Sequence, residues 1–493
     1  MSLLDDYFDL QTEYESKYGD KTIVFIEKGM FYEIYGIDNN EEKRGQATIV
    51  SQLLNIQLTR ANKKILENNI SNPLMTGFPV ASLKKNIKVL LENGYTIVTY
   101  DQQEKVTERK VTNVFSPGTY IDEQSNTQSN YVCSMFIEKE DNIHSVGLSF
   151  IELSTGQSVV YEKVTEDSIL FFEEINRIIE SYSSKEYTII NKGITENLIN
   201  RELNSSNKMF HFNNSYSKEI SNVTYQNEIL EQIYTNKSQL SLIESFDLEK
   251  LVYASSSLIN LLQFCYEHNS DVLKYIDEPV IMNDIDKLIL HNNALYQLNV
   301  VSLGKKEKGI TCLLDVIDNT STPMGRRLLK KILLSPITNV CLLDKKYNEI
   351  ETMMKHIDWF ENNLKGIIDI ERYHRKLSLG KLNPYEYSNL QESYESISVL
   401  LNQKFKDENF TTQFNEYYRT YLQTLNLSQL KLNDCDNIFN QGVFPEIDTL
   451  YTGIEKYKQK LENECRYLSN LLNQKENIIR FEYAPKSGYC IHS

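Results

Sequence analysis

Gly29-Met30-Phe31-Tyr32-Glu33-Ile34-Tyr35 places an aromatic ring two residues ahead of a carboxylate, just after the strand-like run Ile23-Val24-Phe25-Ile26. A ring of this kind can wedge into a base stack, and wedging side chains that unstack and kink DNA are an established recognition device. The carboxylate can accept a hydrogen bond from an exposed base edge. On pattern alone the plainer reading comes first, with Phe31 a core residue and Glu33 part of a solvated face. Cations follow nearby. Residues 51–120 carry nine basic groups against five acidic ones, a balance of +4, whereas residues 1–50 carry five bases against eleven acids, or −6. Among those cations Lys63, Lys64, Lys84, Lys85 and Arg109 are candidate contacts to a DNA backbone. The plain alternative for Lys84, Lys85 and Lys88 is the wet face of a helix.

The elements that must position these groups follow in a definite order. Ser51-Gln52-Leu53-Leu54-Asn55-Ile56-Gln57-Leu58-Thr59-Arg60 is followed by Pro73-Leu74-Met75-Thr76-Gly77-Phe78-Pro79 and a helix-like Leu83 to Asn93. Gly94-Tyr95-Thr96-Ile97-Val98-Thr99-Tyr100 alternates as a strand. Glu108-Arg109-Lys110-Val111 and Ser116-Pro117-Gly118-Thr119 close the segment. This ordered series resembles the N-terminal mismatch-recognition domain of the MutS family of DNA mismatch-repair proteins. The resemblance implies that Phe31 stacks on a mispaired base and that Glu33 hydrogen-bonds to it.

Length and composition set outer limits. A chain of 493 residues exceeds one ordinary domain and suggests about three. No apolar run approaches a transmembrane span, so no membrane partner is expected. Met1-Ser2-Leu3-Leu4-Asp5-Asp6 lacks the basic and apolar stretches of a signal peptide. The seven cysteines are scattered, with no C-x-x-C pair. They point to reduced thiols in an intracellular compartment, and to no structural zinc or other metal site. The net charge of −16 does not exclude DNA, because phosphates respond to the local surface.

The pattern changes after the polar stretch Asp122–Asn130, read as a linker. Val146, Leu148 and Phe150 alternate with Ser145, Gly147 and Ser149 as a half-buried strand. A helix with Phe171, Phe172, Ile175, Ile178 and Ile179 on one side follows, then the short strand Tyr187-Thr188-Ile189-Ile190. Interleaved strands and helices give a small α/β domain. The resemblance implies a connector domain of RNase H-like fold here, and the residues offer no nuclease site. From about residue 247 the spacing of Leu251, Ala254, Leu258, Leu262 and Cys265 is helical. Thr322-Pro323-Met324-Gly325-Arg326-Arg327-Leu328-Leu329 opens a helix that Ser321 or Thr322 can cap. It resembles the family's core and lever domain, as do Asp369-Ile370-Glu371-Arg372 and Gly442-Val443-Phe444-Pro445 further on. Arg326, Arg327, Lys330 and Lys331 are read as part of a structural helix at a domain junction rather than as DNA contacts. Leu450, Ile454, Tyr457, Leu461, Leu468 and Leu471 form a near-heptad seam, expected to pack on a partner helix of the same chain. Two strand-like runs, Ile478–Tyr483 and Ser487–His492, follow.

The expected fold class is therefore multidomain α/β plus all-α. The expected segments are a mismatch-recognition domain at 1–120, a linker at 121–130, a connector at 131–246, a helical core and lever at 247–479, and the start of a clamp at 480–493. No G-x-x-x-x-G-K-[ST] phosphate loop occurs in the sequence, so no ATPase activity and no cofactor are expected of this chain. The resemblance implies that a complete family member carries ATP and Mg and most of its dimer contacts further on, which makes the chain read as a front half. The expected partners are double-stranded DNA with mispaired or unpaired bases and a MutS-type dimer partner. Two other readings stay open: a related clamp on junctions or duplexes without mismatch sensing, and a helical protein-interaction scaffold.

Overall fold

Strand β1 (Thr22–Lys28) is apolar at successive positions because both of its faces are covered. It belongs to a computed structural model describing residues 3–39, 41–60, 62, 64, 67–103, 108–120, 129–203, 208–214, 218–235, 238–283, 286–290, 292–301, 310–404, 408–431, 437–471, 480–484 and 488–492. The chain forms two units: Met1–Ile357 with Asp369–Lys381, and Asp358–Ile368 with Leu382–Ser493.

The first unit opens with α1 (Leu3–Tyr18), β1, β2 (Phe31–Asp38), β3 (Lys43–Gly45), α2 (Ala47–Leu54), β4 (Thr59–Arg60), β5 (Leu74–Pro79), α3 (Leu83–Glu92), β6 (Thr96–Gln102) and β7 (Arg109–Phe115). The sheet order is β4-β5-β2-β1-β6-β7, with β3 added to β2. Side chains alternate across a strand. Ile23, Phe25, Tyr32 and Ile34 therefore meet α2 and α3 through Ala47, Val50, Ile87 and Leu90. Val24, Ile26, Tyr35 and Ile37 meet α1 through Tyr7 and Phe8. The buried Tyr7 hydroxyl donates to the Val24 carbonyl at 3.2 Å and accepts from the Tyr35 amide at 3.2 Å, which pins α1 across β1 and β2.

A second sheet follows: β8 (Tyr131–Glu140), β9 (Ile143–Glu152), β10 (Gln157–Thr165), α4 (Ser168–Tyr182), β11 (Glu186–Lys192), α5 (Glu196–Glu202), β12 (Met209–Phe212), α6 (Val223–Ile233), α7 (Leu242–Ser245), α8 (Val252–His268) and β13 (Val280–Ile281). Its order is β12-β11-β8-β9-β10-β13, an antiparallel meander of β8 to β10 with β11 parallel to β8 and β12 parallel to β11. Phe171, Ile175 and Ile178 of α4 cover one face against Cys133, Met135, Val146, Leu148 and Phe150.

Two expectations are corrected by the other face. Strand β9 is buried on both sides, not half-buried, because Ser145, Gly147 and Ser149 lie under α8. Small side chains there let the helix backbone come close: a Cβ on Gly147 would sit 1.8 Å from the Tyr253 carbonyl oxygen. The boundary at 246/247 also moves. Helix α8 belongs to this α/β layer, with Ser257 donating to the Ser134 carbonyl at 2.9 Å and Asn260 to the Ser134 hydroxyl at 3.0 Å. Strand β13 pairs with β10 at Val159–Val280 and Val160–Ile281. The layer therefore runs to Ile281. Helical spacing marks α8, but spacing does not say what a helix packs against.

The rest of the first unit comprises α9 (Asn292–Gln297), α10 (Leu313–Ile317), α11 (Pro323–Leu334), α12 (Val340–Met354), the first residue of α13 (Ile357–Leu364) and α14 (Ile370–Ser378). Thr322 caps α11, its hydroxyl accepting from the Gly325 amide at 3.1 Å, with Pro323 in the first turn. Arg375 of α14 is almost fully buried. It donates to the carbonyls of Leu153 at 3.2 Å and Tyr275 at 3.0 Å, fastening α14 to the second sheet. The second unit holds the remainder of α13, α15 (Pro384–Lys404), α16 (Glu408–Thr424), α17 (Leu427–Leu430), α18 (Pro445–Leu471) and the hairpin β14 (Arg480–Ala484) with β15 (Gly488–His492). Tyr394 centres its core, edge-on to Phe414, Tyr417 and Tyr421. Among the described residues the expected seam of α18 is covered only in part, at the half-buried Leu461 and Leu468. Leu450, Ile454, Tyr457 and Leu471 are exposed, and the residues of α18 that are buried are Cys465 and Ser469. A heptad pattern marks an apolar stripe, and nothing in the stripe supplies the helix that would pack on it.

Candidate nucleic-acid interface

Strands β1 and β2 form a hairpin in which Lys28 pairs with Phe31, leaving Gly29 and Met30 as the turn. Gly29 adopts φ +64, a region that glycine enters without the penalty a Cβ brings. Gln102 on β6 accepts from its amide at 3.2 Å. The turn carries Met30 and Phe31 outward, 68% and 49% exposed. Phe31 is thus not a core residue. Alternation explains the difference between neighbours. Tyr32 turns into the core beside Phe25 and Phe78, and its hydroxyl donates to Asp101 at 2.8 Å. Phe31, Glu33 and Tyr35 share the opposite face, which α1 covers from Tyr35 inward and leaves open at Phe31.

Glu33 is held from two sides. The Tyr35 hydroxyl donates a short hydrogen bond to its Oε2, and Lys28 Nζ lies 3.3 Å from the same oxygen. Burial, then the carboxylate, push the Tyr35 phenol well above its ordinary pKa, so it stays a proton donor. Both partners converge on Oε2, so the carboxylate is fixed while Oε1 keeps its acceptor capacity. Sequence reasoning missed Tyr35 and Lys28. The i, i+2 spacing of Glu33 and Tyr35 was the available signal for the first, and the two-residue turn for the second.

The cations divide by position. Strand β5 lies beside β2 with Pro79 opposite Phe31, and the Val80 amide donates to the Met30 carbonyl at 3.0 Å. Helix α3 starts a few residues later, so its exposed first-turn Lys84 and Lys85 stand at the hairpin-tip end of the sheet. Exposed Lys64 follows β4, which pairs with the Leu74 end of β5. That is the far end of a six-residue strand, roughly 17 Å away. Lys63 lies outside the described residues. Arg109 spends its Nε on the Glu27 carbonyl at 3.0 Å, bracing β1 just below the hairpin tip. Of the α11 group, Arg327 donates to Asp369 at 2.8 Å and to Glu371 at 2.6 Å, and Arg326 pairs with Asp318 at 3.0 Å. These two arginines have structural partners. Among the described residues no group of three or more acidic, histidine or cysteine side chains is placed to hold a metal ion.

An exposed ring at a hairpin tip, a fixed acceptor behind it and ammonium groups beside it form a set able to engage a distorted duplex. Comparisons with known proteins agree in two segments. Residues 5–124 match the model of MutS domain I, and residues 293–480 match MutS domain III. The putative DNA mismatch repair protein mutS homologue of Acanthamoeba polyphaga mimivirus is 29% identical over 98% of this chain and 48% of its own length. The mitochondrial DNA mismatch repair protein mutS homologue of Sarcophyton glaucum is 25% identical over 98% of this chain and 54% of its own. The DNA mismatch repair protein MutS of Halothermothrix orenii is 28% identical over 87% and 46%. The chain spans about half the length of these curated relatives.

Proposed function

Because the chain belongs to the MutS family, we propose that it is the sensing part of a DNA mismatch-repair protein and binds duplexes at mispaired or unpaired bases. The observation that carries this reading is the exposure of Phe31 at the β1–β2 tip, on the same face as a fixed Glu33. The ring enters the stack beside the defective pair, where unstacking costs least. Glu33 then accepts a hydrogen bond from the displaced base. Lys28 offsets its charge, so a carboxylate can approach phosphates without full repulsion. Lys84 and Lys85 hold the flanking backbone and set register rather than specificity.

The second sheet, a three-stranded meander extended by parallel strands, supports the connector reading with an RNase H-like fold. In this proposal ATP, Mg and the dimer partner belong to the complete protein, which acts in an intracellular compartment.

Substituting Phe31→Ala tests the assignment. Base–aromatic stacking is worth about 1–3 kcal/mol, so heteroduplex affinity should fall roughly 5- to 150-fold. Homoduplex affinity should barely move, since phosphate contacts dominate it. Fluorescence anisotropy with matched and mismatched duplexes measures both. Equal losses on the two duplexes would remove Phe31 from the reading site.

A further inference from the structure

Between the second sheet and α11 lies a cavity of about 200 Å³. Its charged lining is Lys287, Arg327, Lys330 and Lys331 with Glu152 and Glu371. Both carboxylates are already engaged. Glu152 takes Arg372 at 3.2 Å and Glu371 takes Arg327 at 2.6 Å. Arg327 is further occupied by Asp369. The α11 ammonium groups have no such match. Lys330 Nζ donates to the neutral Ser183 hydroxyl at 3.2 Å, and that hydroxyl donates onward to the Glu180 carbonyl. Among the described residues Lys330 makes no ion pair, because Glu180, the carboxylate that pulls on it, is bound by Lys208 at 2.8 Å. Burial pushes the Lys330 ammonium below the usual lysine value. Lys331 stands exposed at the rim.

Lys330 is half-buried, and a partly desolvated cation without a counter-ion is a costly arrangement. An ammonium has three donors, and Lys330 uses one of them on Ser183. The geometry points to this cavity as a binding site for a small phosphate-class oxyanion, held by Lys330 with Lys331 at the rim. Lysine binds phosphate as a point charge. The site uses none of the hairpin-tip residues, so it stands whether or not Phe31 reads mismatches.

Calorimetric titration of inorganic phosphate into the full chain, at constant ionic strength against chloride, tests the site. Saturable binding of one anion is expected. Lys330→Met should weaken it about tenfold or more, as loss of a charge-assisted contact does, while Lys345→Met on the exposed face of α12 should leave it unchanged. Lys330→Met exchanges an unpaired ammonium for an apolar chain of similar length and should fold. Lys331→Met, exposed at the rim, gives a second reading that does not depend on the interior and should also weaken binding. Heats that never saturate, or equal affinity in Lys330→Met, would overturn the proposal. So would phosphate-insensitive behaviour with a loss of homoduplex affinity in Lys330→Met, which would assign the ammonium to a DNA backbone instead.

Discussion

At the scale of single residues, the proposed function requires the hairpin tip to separate affinity from discrimination. In the proposed complex Glu33 would lie near phosphates and oppose homoduplex binding, with Lys28 only partly offsetting it. Glu33→Ala should therefore preserve or strengthen homoduplex binding and shrink the mismatch-to-match ratio. Tyr35→Phe makes a finer test. It deletes the hydroxyl that fixes Oε2 and leaves the ring in its packing against Tyr7. A neutral hydrogen bond contributes about 1 kcal/mol, so discrimination should fall roughly fivefold with the melting temperature nearly unchanged. An unaltered ratio in parallel titrations of Tyr35→Phe would show that Glu33 needs no brace. The sequence made Phe31 and Glu33 legible through type and spacing. It left Tyr35 unread because a tyrosine in an apolar strand looks like core, and by burial it is core.

At the scale of elements, the close fit of α8 on β9 is the feature most sensitive to a single atom. Gly147→Ala would place a methyl against the Tyr253 carbonyl. Neither partner is a flexible side chain, so the helix must lift from the sheet. Overpacking of this kind costs about 1–3 kcal/mol or more, and α8 also carries the buried Ser257 and Asn260 bonds to Ser134. Urea unfolding of Gly147→Ala should give an earlier midpoint, with the loss in the second-sheet layer rather than in the first sheet. Wild-type stability in that variant would mean that α8 is less tightly seated. The same fit explains the misplaced boundary: Ser and Gly on alternate positions look solvent-facing, whereas here they are small so that a helix can cover them.

At the scale of the molecule, a buried polar cluster joins the first sheet's exit to the second sheet. Glu186 accepts from Ser116 and from the Gly118 amide at 3.1 Å, and meets His211 at 2.8 Å. Burial alone would raise the Glu186 carboxyl, but the His211 and Ser116 bonds overcome it and hold it below the ordinary carboxylate value. His268 lies alongside, packed on Tyr18 and bonded through Nδ1 to the Phe264 carbonyl at 2.8 Å, and burial lowers its pKa to about 4. Lys17 and Glu267 form the neighbouring ion pair at 2.7 Å. The sign follows from the depressed value. Above the ordinary histidine pKa of 6.5 both states are neutral there and the stability is fully present. As pH falls from 6.5 to about 4 the unfolded chain takes the proton first, and up to about 3 kcal/mol is lost. Acid further down then acts on Glu186. Thermal melts across this range should show the slope, and His268→Phe should flatten it. An equal slope in that variant would place the acid sensitivity elsewhere.

The sequence by itself determined the elements and singled out Phe31 and Glu33 as the candidate pair. Local alternation, caps and turn residues are short-range chemistry, so β1, α3, β6, α11 and the two terminal strands were visible in order, and the ordered motifs carried the family. Tertiary structure alone decided what covers each face. It exposed Phe31 while burying Tyr32, assigned α8 to the sheet before it, gave Arg326 and Arg327 carboxylate partners, and left most of the α18 stripe open among the described residues. The physical reason is that a residue's periodicity is set by its own backbone, whereas its burial and charge balance are set by segments far along the chain, as in the pairing of Arg327 with Asp369 and of Glu186 with Ser116.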